Sequence, residues 1–312
     1  MTAPARVRSG LGGGARALTF AEAPPPTLAL GLAPQSAGEF ALAVRVQRRA
    51  LVQGREVELI ARQAKGEVDV RYIGDVRKRA IPWPQQRHRP LRIGSSVGHF
   101  NVTAGTLGGF VRPRTGGPTA LLSNNHVLAN ENRAKKGDAV LQPGVVDGGK
   151  APRDAAAALA GFVRLKRLGP NLVDAAVATL KQGVEADLAT LTGLGKLKGV
   201  GDVFVEEGTR VAKLGRTTGL TRGRVTAFEL DNVTVEFDIG FLRFDNQIEV
   251  EGEGAGPFSE GGDSGSLILG KDLRAVALLF AGSDQGGANG QGLTYANPIH
   301  AVLDALQMEL VF

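Results

Sequence analysis

The sequence predicts a mainly β protein, in which a small α/β unit precedes an antiparallel barrel or sandwich region and a helix follows near the C-terminal end. From residue 91 onward, short apolar runs are separated by Gly, Asn and Asp at the spacing of antiparallel strands. The composition agrees, because 44 glycines and 15 prolines accompany only 5% aromatic residues, which is typical of many turns. The terminal helix is predicted by an apolar face at helical spacing, with Asn297 as its expected cap and Pro298 in its first turn.

The region before residue 91 divides into three parts. Residues 1–36 are rich in Gly, Ala and Pro, and we expect a disordered leader. Residues 37–80 alternate apolar and polar side chains from Phe40 to Gln47 and again from Glu67 to Val76, with a helix-compatible stretch from Arg55 to Gln63 between them. This strand, helix, strand order predicts the small α/β unit, and residues 81–95 are expected to be a linker.

Two further stretches of the β region are predicted to contain strands. Val203-Phe204-Val205 is one of the short apolar runs that predict strands. Asp154 to Leu168 contains an alanine run that suits a helix, but Val163 and Leu165 alternate with charged residues. We therefore expect a strand from Gly161 to Leu168.

Charge and composition exclude several classes of site. The net charge is +6, and its basic clusters, Arg77-Lys78-Arg79 and Arg87-His88-Arg89, flank a Pro-Trp-Pro segment, so a basic connector is favoured over a nucleic-acid patch. The chain has no cysteine, which excludes disulfides, thiolate metal ligands and a cysteine nucleophile. Residues 1–20 contain no continuous apolar stretch of the kind a secretory signal needs, no run of the chain approaches the length of a membrane span, and no cluster has metal-ligand spacing. We expect a cytoplasmic protein with no membrane partner, no metal and no cofactor.

The chain has four histidines, which are its candidates for a general base. His88 lies in the linker, His99 at a strand edge and His300 on the predicted helix. His126 differs, since it follows an apolar run and a polar turn in Leu-Leu-Ser-Asn-Asn-His-Val. A lone histidine on such a segment is more often a structural residue, and only partners would make it a general base.

Candidate partners for His126 stand at two positions. Asp174 lies in the apolar stretch Asn-Leu-Val-Asp-Ala-Ala-Val, where a carboxylate needs a hydrogen-bonding partner, and a histidine N–H or a backbone amide would serve. Ser264 lies in Gly-Gly-Asp-Ser-Gly-Ser, where glycines allow a sharp turn. The amides of Gly262 and Ser264 could stabilise an oxyanion there, and Asp263 could fix the turn by pairing with a buried cation or backbone amides.

Together the three motifs resemble those of the chymotrypsin/trypsin-fold serine peptidases, in the order His126, Asp174, Ser264. Ser-Asn-Asn-His-Val is similar to the histidine motif of bacterial trypsin-like and HtrA-type members. The stretch from Lys213 to Val225 resembles the glycine-rich hairpin that opens their second barrel. With its preceding α/β unit, the chain most resembles the narrow-leaf-like group of trypsin-like peptidases.

This resemblance implies two antiparallel β-barrels, over residues 96–190 and 191–312, with a catalytic triad between them. The implied activity is that of a serine endopeptidase acting on a protein or peptide. In this fold the base of the specificity pocket lies about six residues before the nucleophile, which is Phe258 here, and Ala281 and Gly282 form one wall. These residues imply a preference for apolar or small side chains over Lys and Arg. Ser266 departs from the usual glycine, with no assigned effect.

Two alternative functions stay open at this point. The cleft could bind a partner peptide with little or no turnover, because the sequence does not show whether the oxyanion loop is formed or collapsed. A nucleic-acid-binding function rests only on the net charge and the linker arginines. A homo-oligomer is compatible with the sequence, and the α/β unit would be a plausible assembly or regulatory surface.

Overall fold

The computed structural model describes residues 28–76, 80–201 and 206–312. The chain forms two compact units, Met1–Ala80 and Ile81–Phe312, which are considered separately. Residues 1–27 of the expected leader, the basic cluster at residues 77–79 and the predicted strand at residues 203–205 lie outside the described residues. Within the described ranges, no helix combines the length and apolar character needed to cross a membrane.

The first unit is a three-stranded sheet with one helix. Strands β1 and β2 form an antiparallel hairpin, and helix α1 then crosses over to place β3 parallel to β2. Val44 and Val46 of the sheet pack against Val57 of the helix. The predicted helix is confirmed with the bounds expected from the sequence. The elements are β1 (Leu28–Ser36), β2 (Glu39–Val46), α1 (Arg55–Gln63) and β3 (Val68–Tyr72).

The expected disordered leader is wrong for residues 28–36, because they form strand β1. Leu28, Leu30 and Leu32 pair with Val46, Val44 and Leu42 of β2. These leucines alternate with Ala and Gly, so both sets of positions read as small or apolar and the two-residue period is masked in the sequence. Cross-strand pairing with the strongly alternating β2 therefore decides the structure of a segment whose composition suggests a leader.

The second unit begins with an open, curled sheet, which we call the first half-barrel. Its eight strands run in the order β23, β7, β8, β11, β10, β9, β5, β6. The sheet is open, so the first of the two expected barrels takes the form of a half-barrel. The strands and the helix of this region are β4 (Leu91–Arg92), β5 (Ser96–His99), β6 (Gly105–Thr106), β7 (Gly109–Pro113), β8 (Ala120–Ser123), α2 (Asn125–Leu128), β9 (Ala139–Leu141), β10 (Ala155–Phe162) and β11 (Ala176–Leu180). Short strands β12 (Ala186–Asp187), β13 (Thr190–Leu191) and β14 (Gly195–Lys196) lead out of it.

The strand expected at Gly161–Leu168 is misplaced, because the strand is β10, Ala155–Phe162. Its alanines are mostly buried between β9 and β11, where small side chains allow close packing. The residues that follow form a loop held by Asn132, whose Oδ1 accepts from Leu165 N at 2.9 Å and whose Nδ2 donates to Leu165 O at 3.0 Å. A side-chain amide thus takes the place of a neighbouring strand and gives the loop its alternating exposure.

The remainder of the unit is a closed six-stranded barrel, the second barrel, with an added hairpin. Its strands close in the order β15, β16, β19, β22, β21, β20. The hairpin of β17 and β18 stands apart as its own two-stranded sheet. The elements are β15 (Arg210–Gly215), β16 (Gly219–Leu230), β17 (Val233–Phe237), β18 (Gly240–Phe244), β19 (Gln247–Gly252), β20 (Leu267–Gly270), β21 (Ala275–Gly282) and β22 (Leu293–Pro298).

The C-terminal region connects the two halves of this unit. Helix α3 (Ile299–Leu306) is confirmed, and Ile299, Val302 and Leu303 are its buried face. The expected capping role of Asn297 is wrong, because Pro298 occupies the cap position and no side chain caps the helix. Beyond the helix, β23 (Met308–Val311) pairs with β7. Residues 308–311 therefore belong to the first half-barrel and not to the second barrel, which the resemblance implies over residues 191–312.

Candidate active site

His126 and Asp174 are brought together by neighbouring strands. His126 lies on α2, directly after β8, and Asp174 lies just before β11. These two strands are antiparallel partners, with Ala176 opposite Ser123, so the end of one meets the start of the other. As a result, His126 Nδ1 lies 2.5 Å from Asp174 Oδ2.

The Asp174 carboxylate is fully buried and fully engaged. Its Oδ1 accepts from Asn125 N at 2.6 Å and from His126 N at 3.3 Å, while its Oδ2 takes the His126 ring. Such bonds are what permit a carboxylate to be buried. Because the carboxylate holds Nδ1–H, the neutral imidazole presents an unprotonated Nε2, which is the nitrogen that acts as a base.

The pKa of His126 is shifted by opposing influences. Burial acts to lower it, but the charge and hydrogen bond of Asp174, helped by the charge of Glu131, outweigh burial and raise the pKa above its ordinary value. The ring is still partly open, with 22% of the side chain exposed. A raised pKa makes the neutral ring a stronger base than an isolated histidine.

Ser264 reaches the first half-barrel through its backbone. Its carbonyl accepts from Thr106 N at 2.8 Å. A Cβ placed on Gly105 would lie 2.4 Å from Val127 Cγ2 and 3.0 Å from Ser264 O, so the serine backbone adjoins the residue after His126. Ser264 Oγ donates to Phe280 O at 3.5 Å, and the described part of the chain shows no hydrogen bond from it to His126. Catalytic hydrogen bonds are often loose before substrate binds.

The turn before Ser264 has a defined peptide orientation. Asp263 N donates to Glu260 O at 3.0 Å, and Gly262 has a φ of +96°, which is the pattern of a type II turn. Gly261 O accepts from Thr217 Oγ1 at 2.7 Å. The C=O and N–H of one trans peptide point in opposite directions, so the Gly262 N–H faces away from Thr217. Neither this amide nor that of Ser264 donates to any described residue, which leaves both available.

The carboxylate of Asp263 holds the same turn through buried contacts. Lys213 Nζ lies 3.1 Å from Asp263 Oδ2, and both side chains are fully buried. Thr217 N donates to Oδ1 at 2.8 Å, and Thr218 Oγ1 to Oδ2 at 2.7 Å. Burial lowers the pKa of Lys213 despite the attraction of Asp263. The expectation of a buried cation or backbone amides is met by both kinds of partner.

Lys213 was not identified as that cation by the sequence, although the signal was present. It stands in β15 between Ala212 and Leu214, where a lysine inside an otherwise apolar strand needs a buried carboxylate. Ser266 also gains an explanation, because its Oγ donates to Asp263 O at 2.6 Å and its amide to the same oxygen at 3.0 Å. A glycine at this position would lose the first of these bonds.

Gly265 shows why the turn requires glycine. Its φ is +93°, and a Cβ there would lie 2.1 Å from Ser123 Oγ and 2.4 Å from Thr106 O. Any side chain would therefore collide with the first half-barrel. The close approach brings the turn that carries Ser264 against the strand that leads to His126.

The hairpin of β17 and β18 contacts the histidine, which the sequence did not predict. The Phe237 ring meets the His126 ring edge-on, with centroids 5.9 Å apart. The hairpin tip is tied to the first half-barrel by Glu131, whose carboxylate accepts from Asp238 N at 3.1 Å and Ile239 N at 3.0 Å. The hairpin therefore forms a wall beside His126.

The three residues expected to bind substrate are placed differently from one another. Phe258 is buried in the core of the second barrel, with 1% exposure, so its contact with a substrate stays a prediction. Ala281 and Gly282 end β21, next to Phe280. A Cβ on Gly282 would lie 3.7 Å from Ser259 Oγ, which is itself 2.6 Å from Thr294 Oγ1. In the described ranges, no cluster of His, Asp or Glu could hold a metal ion.

We expect His126 to titrate above the ordinary histidine pKa of about 6.5, since Asp174 stabilises the charged ring. NMR detection of the ring resonances against pH measures this, and Asp174→Asn should move the midpoint downward. His88 is the internal control, because burial lowers its pKa and Asp174 does not contact it. A His126 midpoint that does not respond to Asp174→Asn would contradict the pairing.

Lys213→Met should lower the free energy of unfolding by about 3 kcal/mol, because it leaves the buried Asp263 carboxylate without a countercharge. Denaturant unfolding measures the loss. The double variant Lys213→Met/Asp263→Asn removes both charges and should recover part of it. Equal stability of the single variant and the unchanged protein would show that the pair does not fix the turn.

Comparison with known proteins gave one family match and several solved structures of similar fold. Residues 177–311 match the family described as the Nal1 C-terminal domain. The comparison with curated proteins gave no match. Among solved structures, a glutamic acid-specific serine protease is 19% identical, with a TM-score of 0.51, over 71% of this chain and 100% of that one.

Two further solved structures are similar over the same share of the chain. Thermobifida fusca protease A is 19% identical, with a TM-score of 0.48, over 71% of this chain and 98% of that chain. Cellulomonas bogoriensis chymotrypsin is 20% identical, with a TM-score of 0.47, over 71% of this chain and 98% of that chain. At such identity the likeness concerns the fold alone. With its closed barrel and half-barrel, the chain has the chymotrypsin/trypsin fold of the serine proteases.

Proposed function

We propose that this protein is a serine endopeptidase that hydrolyses peptide bonds through an acyl-enzyme. The observation that carries the proposal is the buried Asp174 carboxylate, 2.5 Å from His126 Nδ1, beside a turn that presents Ser264. A hydroxyl becomes a nucleophile only when a base takes its proton and a third group orients that base. The three side chains supply those three functions.

In the proposed reaction, Ser264 Oγ attacks the substrate carbonyl while His126 Nε2 takes its proton. The protonated ring, stabilised by Asp174, then gives that proton to the leaving amine as the C–N bond breaks. Water attacks the acyl-enzyme by the same route, with His126 first taking a proton from water and then returning it to Ser264 Oγ. The available amides of Gly262 and Ser264 would stabilise the oxyanion in both steps.

The subgroup and the substrate class belong to the same proposal. The match of residues 177–311 to the Nal1 C-terminal domain supports the narrow-leaf-like group. The solved structures of this fold are described as proteases, which supports a protein or peptide substrate. Among the described linker arginines, Arg87 pairs with the buried Asp154 and Arg89 binds Gln142, which favours structural roles for these two over a nucleic-acid contact.

One observation favours the alternative of a peptide-binding module with little turnover. Ser264 Oγ donates to Phe280 O rather than to His126. The turn geometry speaks against it, since the type II conformation directs the Gly262 amide away from Thr217 and leaves it free. A peptide-binding module with little turnover would therefore require another feature that prevents catalysis, and the described residues show none.

Substrate preference should favour apolar or small side chains, with Phe258, Ala281 and Gly282 as the proposed determinants. Beside Gly282 the polar side chains are Ser259 and Thr294, which are uncharged and bonded to each other. Cleavage of a peptide library, read by mass spectrometry, measures the preference. Cleavage mainly after Lys or Arg would contradict this assignment without affecting the proposed triad.

The central test is labelling by a fluorophosphonate probe, which reacts with activated serines. We expect labelling of the unchanged protein, none of Ser264→Ala, and at least a tenfold loss in His126→Ala, because removing the base leaves the hydroxyl unactivated. Ser36→Ala is the matched control, since this exposed serine of β1 bonds Glu39 in the first unit and should leave labelling intact. Labelling that persists in Ser264→Ala, or its absence from the unchanged protein, would contradict the proposal.

A further inference from the structure

We propose that Asn297 and Gln247 of the second barrel are positioning residues for Asp174 of the first half-barrel. The inference rests on the proposed function, because it assigns these amides a part in the same reaction. Neither residue contacts the imidazole. They act through the backbone that carries the carboxylate.

Two side-chain amides bond the backbone of Asp174. Asp174 N donates to Asn297 Oδ1 at 2.9 Å, and Asp174 O accepts from Asn124 Nδ2 at 2.7 Å. All three residues are fully buried. Side-chain amides therefore hold the residue at both of its backbone polar groups, one from each side of the cleft.

Asn297 is itself held by Gln247. Its Nδ2 donates to Gln247 Oε1 at 2.7 Å, in a fully buried pair. Gln247 Nε2 in turn donates to Leu172 O at 3.0 Å and to Asp245 O. The second barrel thus binds the Asp174 loop at two points, residue 174 and residue 172.

Only one orientation of the Asn297 side-chain amide satisfies its hydrogen-bonding neighbours. If the Asn297 amide were reversed, its NH₂ group would face Asp174 N–H and its oxygen would face Gln247 Oε1. Two donors and two acceptors would then oppose each other in a buried space, where unpaired polar groups are strongly unfavourable. A single arrangement of the amides is therefore compatible with the packing.

A purely local role for Asn297 does not account for these contacts. The residue immediately precedes α3 in the sequence, but the structure shows no side-chain cap on that helix. Asn297 and Gln247 lie in β22 and β19, paired strands of the closed barrel. Their side chains leave this barrel to bond the loop that carries Asp174, so their contacts transmit the position of one barrel to the carboxylate of the other.

The expected consequence concerns turnover more than binding. The short contact of Asp174 with the His126 ring requires the loop to stay in place, and misplacement of about 1 Å can lower a rate about a hundredfold. Substrate contacts are not part of the network, so KM should change little. Asp174 and Glu131 are the charged groups that raise the pKa of His126, and only the first is held by this network.

The test compares Asn297→Ala and Gln247→Met with the unchanged protein, using kcat, KM and NMR titration of His126. We expect Asn297→Ala to lower kcat by about tenfold or more at nearly constant KM. The His126 midpoint should fall toward its ordinary value, and Gln247→Met should give a smaller change in the same direction. Unchanged kcat and an unchanged midpoint in folded Asn297→Ala would overturn the inference.

A double-mutant cycle separates positioning from general stability. If Asn297 acts through Asp174, then Asn297→Ala should lower kcat no further when Asp174→Ala is already present. An additional loss of similar size would show that the amide supports the fold and not the carboxylate. Gln142→Ala is the control, because Gln142 is an equally buried amide bonded to the linker, and it should affect stability without moving the His126 midpoint.

The NMR arm keeps this inference distinct from the proposed function. A protein without peptidase activity, but with a His126 midpoint that responds to Asn297→Ala, would remove the proposed function and leave the positioning role. An active protein with kcat and midpoint insensitive to Asn297→Ala would do the reverse.

Discussion

The buried ion pair of Lys213 and Asp263 is the interaction on which the candidate site depends most. Asp263 stands between Gly262 and Ser264, so whatever fixes its carboxylate also fixes the backbone of Gly262 and of Ser264. A buried charge without a partner is strongly unfavourable, and this pair, with the threonine donors around it, leaves the turn one acceptable position. The pair is better understood as a source of geometric definition than as a source of net stability.

The same region depends on a core shared between the two halves. Leu267 and Leu278 of the second barrel pack in one cluster with Leu107 and Leu122 of the first half-barrel. The catalytic candidates are placed around this cluster by strand ends and turns. Polar contacts then refine what the apolar packing approximates, since packing is non-directional and hydrogen bonds are not. Displacing either half would therefore disturb both the core and the site.

The sequence predicted the features that are encoded locally. The turn glycines, the order of His126, Asp174 and Ser264, and helices α1 and α3 all follow from short motifs or clear periodicity. The sequence did not predict features that depend on a distant partner. Strand β1 needs β2 to order it, and Lys213 and Asn297 take their roles from residues far away in the chain. Propensity has no term for such contacts, so residue type alone could not assign them.

Strand β23 constrains the order in which the molecule can be completed. Arg112 on β7 pairs with Glu309 on β23 across 197 positions of the sequence. During synthesis, the first half-barrel therefore lacks its edge strand, β23, until the whole second barrel has left the ribosome. Contacts of such long range close slowly, and an uncovered sheet edge is a site for wrong pairing in the meantime. The two halves are thus expected to mature as one cooperative folding unit rather than one after the other.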